Sequence, residues 1–545
     1  MILSSLSSSL PSLALSLAPR RVALACLSAA LTLQSLAPAT VAAQGAPATA
    51  ISLPDLGDAT AASLSPVAER RLGDRIMRSI RRDPDVLDDP LLLEYVGTLW
   101  TELLTSARQR GDVGPELQTT HAWEAFLVKD RSVNAFALPG GYIGVHLGLI
   151  AMTRNTDELA SVLAHELAHV SQRHIARMIG QQSQMSWVSI ASLLLGVLAA
   201  SSNPQAAQAV IMGGQAAAIQ NQLNFSRDME READRVGFGV LVDGGFDPAG
   251  MAGMFEQLAQ ASRLNDDGSY PYLRTHPLTT ERIGEARSRL GTSGWAQHTR
   301  VDAVQATRHA LMAARARVLM DGRQTALQSM MRMQPANDAD AVTRTATHYA
   351  RAVALQRAGL HDDAAQALQA ARDAARLLPV DAAPVAERVL TLGEAEGLVL
   401  ARHGAQARAL LTRQTTGPRQ VLDRQARPER LLNAEAALQD KGSTPDTLRQ
   451  VAEQLESALA QRPADASTWL LLSQLWQRLG QPVRAVRAEA EAAAALGDLP
   501  GAIDRAEGAQ KRFRQPDAAD TIELSALLAR SRAWQRQQHD DLQDR

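Results

Sequence analysis

The chain has 545 residues, with 56 Lys and Arg against 58 Asp and Glu and a formal net charge of -2. That length exceeds what one hydrophobic core usually serves and predicts two or three domains. The balanced charge excludes nucleic-acid binding through a global basic field, and 3% aromatic content with abundant alanine favours helix over sheet.

The N-terminal 43 residues read as an export signal. Arg20 and Arg21 precede the charge-free apolar run from Val22 to Leu36, and Val41-Ala42-Ala43 offers small residues for cleavage near Ala43. The apolar run is shorter than the roughly 20 residues of a membrane span, which favours removal over a membrane anchor. Cys26, the only cysteine, lies inside this segment. The processed chain then has no thiol, so any metal must be held by histidine and carboxylate. Residues 44–63, rich in Ala, Pro, Ser and Thr, read as a flexible leader.

From Pro66 to about Arg108 the apolar spacing is helical. Trp123 to Val128 alternates like a strand, and Asn134-Ala135-Phe136-Ala137-Leu138 reads as a second strand ending at the Pro139-Gly140-Gly141 turn. Tyr142 to Val145 follows as a third. We expect Asn134, Ala135, Phe136, Ala137 and Leu138 to form an edge strand able to pair with an extended substrate. Next comes Leu163-Ala164-His165-Glu166-Leu167-Ala168-His169-Val170, an H-E-x-x-H motif within an amphipathic helix. Positions four apart share a helix face, so His165 and His169 can hold one metal ion. Glu166, one step round the helix, is placed to act on the attacking water and not as a ligand.

Residues 180–224 contain the apolar stretch Trp187 to Ala200, a Ser201-Ser202-Asn203-Pro204 break and an Ala/Gln-rich segment. They read as a packed or lid-forming helical hairpin, with peripheral membrane contact the lesser alternative. A catalytic zinc site needs a third protein ligand, and Asn224 to Asp234 is its natural source. Glu230 and Asp234, four apart, share a face: Glu230 can bind the metal and Asp234 can hydrogen-bond a ligating histidine. Glu232 projects roughly opposite and is the weaker candidate.

Beyond about residue 296 the pattern is almost purely helical. Trp469, Leu472, Trp476, Gly480, Ala485 and Ala492 match the tetratricopeptide spacing. Further units centre on Leu355 to Pro379 and on Gly397 to Ala409, whereas 412–445 fits none. The expected organisation is therefore signal peptide 1–43, leader 44–63, metalloprotease domain 64–295 and repeat domain 296–545. The fold class is an α+β zincin-like domain, mostly helical with a small sheet, followed by an all-α tetratricopeptide solenoid.

The set Asn134 to Gly141, His165-Glu166-x-x-His169-Val170-x-x-Arg173-His174 and Ser226-Arg227-x-x-Glu230-x-x-x-Asp234 resembles the HtpX-type and CAAX-processing-type family of zinc metallopeptidases over roughly residues 64–290. The resemblance implies one Zn2+ per chain held by His165, His169 and Glu230, with Glu166 as the catalytic base. It implies that His276, ahead of Pro277, approaches the zinc and regulates access, or else stabilises the oxyanion of the transition state. By the same resemblance Arg282 orients substrate or stabilises developing charge. Arg173 and His174 are expected in supporting roles, and His121 and His146 in packing. An export signal joined to C-terminal repeats implies, within this family, a periplasmic endopeptidase of outer-membrane protein quality control. Its partners would be unfolded or stalled outer-membrane proteins and the barrel-assembly machinery, the latter through the repeats. The rival readings are a non-proteolytic adaptor or chaperone, whose latent or structural metal site would have no need of Glu166, and a membrane-anchored quality-control protease held by residues 22–36.

Overall fold

The computed structural model describes residues 64–181, 226–264, 269–292, 302–416 and 421–543. The expected signal peptide, the leader and nearly all of the 180–224 hairpin lie outside the described residues. All that are described fall in one compact unit.

Helices Pro66–Ile80 (α1) and Pro90–Arg110 (α2) begin alike. Ser65 accepts from the Ala68 N–H and Asp89 from the Leu92 N–H, each with proline in the first turn. The helical pattern read from Pro66 to Arg108 is thus two helices. Pro84 has no N–H to donate and biases Asp83 away from helical backbone, and the strand Val86–Leu87 (β1) fills the gap. Pro115–Thr120 (α3) leads to Glu124–Val128 (β2), Ala135–Leu138 (β3) and Tyr142–His146 (β4). The sheet order is β1-β2-β4-β3, with β2 and β4 parallel and the other pairs antiparallel. Strand β3 is therefore an edge. The β3–β4 turn has Gly140 and Gly141 at φ of 77° and 87°, a left-handed backbone that glycine adopts without strain.

Helices Leu147–Met152 (α4), Thr156–Ser171 (α5) and His174–Gln181 (α6) follow, then Arg227–Asp243 (α7), Ala249–Leu264 (α8), Tyr272–Thr275 (α9) and Thr280–Thr292 (α10). The two sheet faces separate as alternation requires. Leu127, Ala135, Ala137, Ile143 and Val145 share the main core with Leu159, Leu163 and Leu167 of α5. Phe126, Val128, Leu138 and Tyr142 pack on Leu72, Ile76, Met77 and Ile80 of α1. Each fully buried leucine here contributes about 2 kcal/mol, so the helix carrying the motif is fixed on one side by the sheet and on the other by α7. Gly237 permits that second approach. A Cβ there would stand 3.1 Å from the Ala164 and His165 backbone, which would push α7 away from α5.

The remaining described residues are all helical: Ala303–Leu319 (α11), Gln324–Met331 (α12), Ala341–Arg357 (α13), His361–Ala375 (α14), Ala383–Leu400 (α15), Gly404–Thr416 (α16), Arg427–Gln439 (α17), Pro445–Gln461 (α18), Ala466–Arg478 (α19), Pro482–Ala495 (α20), Leu499–Arg512 (α21) and Ala518–Gln543 (α22). They form successive helix-turn-helix pairs, with Gly359 and Gly480 left-handed at two of the turns. The stretch 412–445, which matched no repeat, contains α17. It pairs with α18 through Leu431, Ala434 and Ala437 against Leu448, Val451 and Leu455. Its turn lacks the left-handed glycine found at Gly359 and Gly480.

The expected boundary at 295/296 does not divide the hydrophobic core. Leu311, Met312, Ala314 and Val318 of α11 lie in the same cluster as α2 and α5, and that cluster continues into α15. Buried Arg315 spans the junction, donating to Asp89 at 2.7 Å, to Glu396 at 2.9 Å and to the Tyr349 hydroxyl at 3.2 Å. No helix among the described residues is long and apolar enough to cross a membrane.

Candidate metal centre

Helix α5 starts on Asn155, whose side chain accepts from the Glu158 N–H at 2.8 Å, and has Asp157 and Glu158 in its first turn. Both favour the positive end of the helix dipole. Helix α7 starts likewise on Ser226, which accepts from the Met229 N–H. These caps fix the register with which His165, Glu166 and His169 face Glu230 and Asp234. All five are at most 2% exposed, so the group is a buried polar cluster inside an otherwise apolar core.

His165, His169, Glu230 and His276 each offer one ligand atom, and all four atoms lie within 4.8 Å of one another. The Nε2 atoms of His165 and His169 are 3.0 Å apart, and Glu230 carboxylate oxygens lie 3.5 and 3.4 Å from them. Nδ1 of His276 is 3.3 Å from His165 Nε2 and 2.9 Å from Glu230 Oε1. A tetrahedral ion with bonds of about 2.0–2.1 Å separates its ligand atoms by about 3.3 Å. The five separations given above, from 2.9 to 3.5 Å, lie close to that spacing, and three nitrogens with one carboxylate suit a transition-metal dication. The residues therefore fit a metal.

The imidazoles are supported from behind. Asp234 Oδ1 lies 3.0 Å from Nδ1 of His165, somewhat off the ideal hydrogen-bond direction. Nδ1 of His174 lies 2.8 Å from Nδ1 of His169, and its Nε2 lies 3.0 Å from Glu232 Oε2. His174 thus takes the supporting role expected of it, and its partner is Glu232, which no local sequence signal marks. Glu232 sits opposite Glu230 on its own helix, and only the approach of α6 brings the two groups together. Arg282 departs from expectation. Its guanidinium donates to both Asp234 oxygens at 2.7 and 2.8 Å and lies 2.7 Å from Glu230. It is committed to the carboxylates that face the histidines and not open to substrate. His121 and His146 are buried away from the cluster, and His146 Nδ1 meets the Ser132 hydroxyl at 2.9 Å.

Charge follows from burial and pairing. Burial alone would lower the His165 pKa, but Asp234 and Glu230 outweigh it and raise it to about 9. His169 goes the other way, well below the usual imidazole range, through burial and its histidine neighbours. Asp234, despite burial, is held at about 2 by His165 and Arg282. Burial raises the Glu166 carboxyl, opposed by His276 and His165. Both Glu166 oxygens are buried without a hydrogen-bond partner, and Nε2 of His276 lies 3.4 Å from one of them. A buried carboxylate with raised pKa and no fixed partner can take up and return a proton.

The edge strand borders this cluster. The His146 N–H donates to Asn134 O, so alternation turns the N–H and C=O groups of Ala135 and Ala137 outward, away from β4. The Ala137 N–H is directed towards Glu166 and lowers its carboxyl against burial, while falling short of a formed hydrogen bond. Two residues before the strand, Val133 is taken: its N–H donates to Ser269 O and its C=O accepts from the Tyr272 N–H. The segment leading to His276 thus lies beside the start of the edge.

Residues 112–290 match the model of peptidase family M48. The chain is 37% identical over 237 residues to a beta-barrel assembly-enhancing protease of Yersinia pestis, covering 44% of this chain and 47% of that one. The protein of the same name in Escherichia coli K12 is 34% identical over 267 residues, covering 49% and 51%. Mitochondrial metalloendopeptidase OMA1 of Arabidopsis thaliana is 33% identical over 169 residues, covering 31% of each. The chain spans about half the length of the bacterial relatives it matches.

Proposed function

We propose, from the premise that residues 112–290 form a peptidase family M48 domain, that this chain is a zinc-dependent endopeptidase. The observation that carries the reading is the buried set of four donor atoms at tetrahedral spacing, with the unpartnered carboxylate of Glu166 beside it. His165, His169 and Glu230 would hold zinc. When bound, zinc would supply a Lewis acid that polarises the scissile carbonyl and eases deprotonation of water.

The protein's own part follows from position. Glu166 takes a proton from the attacking water and returns it to the nitrogen of the leaving amine as the C–N bond breaks. Outward-facing Ala135 and Ala137 pair with the main chain of an extended substrate. His276 Nδ1 stands where a fourth ligand would, so the observed arrangement is a closed one and hydrolysis requires His276 to withdraw. Asp234 and Arg282 hold the ligands in place.

The substrates we propose are unfolded or stalled outer-membrane proteins, met in the periplasm after removal of the N-terminal signal. The names of the bacterial relatives and the helix pairs beyond residue 302 support this. Stacked pairs of tetratricopeptide type offer a surface for a polypeptide partner such as the barrel-assembly machinery, and the same surface would serve a chaperone-like role. The test is digestion of casein and of an unfolded outer-membrane barrel protein by wild type and His276→Ala. Each is run with zinc, with chelator, and with zinc restored. Chelator-sensitive cleavage restored by zinc is expected. No cleavage by either zinc-loaded protein would overturn the reading.

A further inference from the structure

Two Nδ1 atoms 2.8 Å apart cannot both carry protons or both present lone pairs; one must donate. Glu232 decides which. An ionised carboxylate only accepts, so the group 3.0 Å from its Oε2 must be an Nε2–H of His174. A neutral His174 then presents its Nδ1 lone pair to His169. His169 must answer with Nδ1–H, and its own lone pair is left on Nε2, the atom facing His165 and Glu230. We propose that Glu232 and His174 are positioning residues that fix the tautomer and ring orientation of His169. Through it they set the affinity of the metal site. The proposal rests on the metallopeptidase reading and assigns two residues that it leaves unused.

The local backbone supports this assignment. Arg173, between α5 and α6, has φ of 54°, a left-handed conformation that costs a non-glycine residue about 1 kcal/mol. Its side chain is anchored to Glu69 at 3.2 Å and to the Leu64 carbonyl. That kink turns the chain so that His174, five residues beyond His169, points back at it and is fully buried. Arg177, three residues further along the same face of α6, pins Glu232 at 2.9 Å. Helix α7 thereby supports both histidines of the motif: His165 directly through Asp234, and His169 through Glu232 and His174. Nothing about packing alone requires a strained arginine to deliver an imidazole to the back of a ligand.

The test is the zinc dissociation constant, from competition with a chromophoric chelator, for wild type, Glu232→Gln, Glu232→Ala, His174→Phe and the double variant Glu232→Ala/His174→Phe. Glu232→Gln keeps an acceptor oxygen for His174 Nε2–H and should bind within about threefold of wild type. Glu232→Ala and His174→Phe should each weaken zinc by about 10- to 100-fold. The double variant should be no worse than His174→Phe, because Glu232 acts only through His174. Glu232 is partly exposed, so its variants should fold even where His174→Phe does not, and thermal melting without metal checks this. Wild-type affinity in folded Glu232→Ala would overturn the proposal and leave the metal site standing. A wild-type chain that binds no zinc would overturn both.

Discussion

His276 is the residue on which the proposed activity turns. Its Nδ1 completes a four-donor set, and a catalytic site needs that position for water and substrate. His276→Ala should therefore bind zinc more weakly yet cleave unstructured polypeptide or itself several-fold faster, measured as initial rates at saturating zinc. Rates and self-cleavage equal to wild type would show that His276 does not occupy the fourth position in solution. His146 makes a separate statement about stability. Burial lowers its pKa to about 4 from an unperturbed 6.5, so the unfolded chain binds a proton that the folded chain refuses. Stability is full above pH 6.5 and falls as pH drops towards 4, by about 3 kcal/mol in total. Urea midpoints at pH 7 and pH 4.5 should differ for wild type, and the difference should shrink in His146→Gln.

At the scale of elements, the edge strand and the motif helix were legible in the sequence because their signals are local. Alternation over Asn134 to Leu138 and the glycine turn define a strand end, and four-residue spacing puts His165 and His169 on one face. Glu230 and Asp234 were legible for the same reason. Contacts between elements were not. Glu232 looks idle on α7 until α6 brings His174 to it, and Arg282 looks open to substrate until α10 folds it onto Asp234 and Glu230. Strand β1 was hidden by helical spacing on both sides of Pro84. The edge also yields a test. Ala137 directs its N–H away from β4 and towards Glu166 and the proposed substrate path, so Ala137→Pro removes a donor available to both without breaking a ladder bond. kcat/KM on an extended peptide should fall about tenfold, near the 1.4 kcal/mol of one hydrogen bond, with the melting temperature nearly unchanged. An unaltered kcat/KM would remove Ala137 from the substrate path.

For the whole molecule, the join between the motif-bearing part and the helix pairs matters most. Composition changes sharply near residue 296, but α11 packs its apolar face into the core that holds α5. Sequence patterning reports amphipathic faces and not which partner covers them, so the boundary drawn there missed the shared core. Arg315 is the buried charge at this join; Arg315→Ala would leave Asp89 without its main counter-ion. It should cost about 3–5 kcal/mol, read as a lower urea midpoint, whereas a change under about 1 kcal/mol would mean the two parts are not coupled there. Whether the proposed site holds zinc with Glu166 as its base is read from Glu166→Gln, assayed for bound zinc and for casein hydrolysis on one preparation. One zinc per chain is expected, as in wild type, with hydrolysis reduced by at least about 100-fold. Loss of the zinc, or hydrolysis at the wild-type rate, would contradict that assignment.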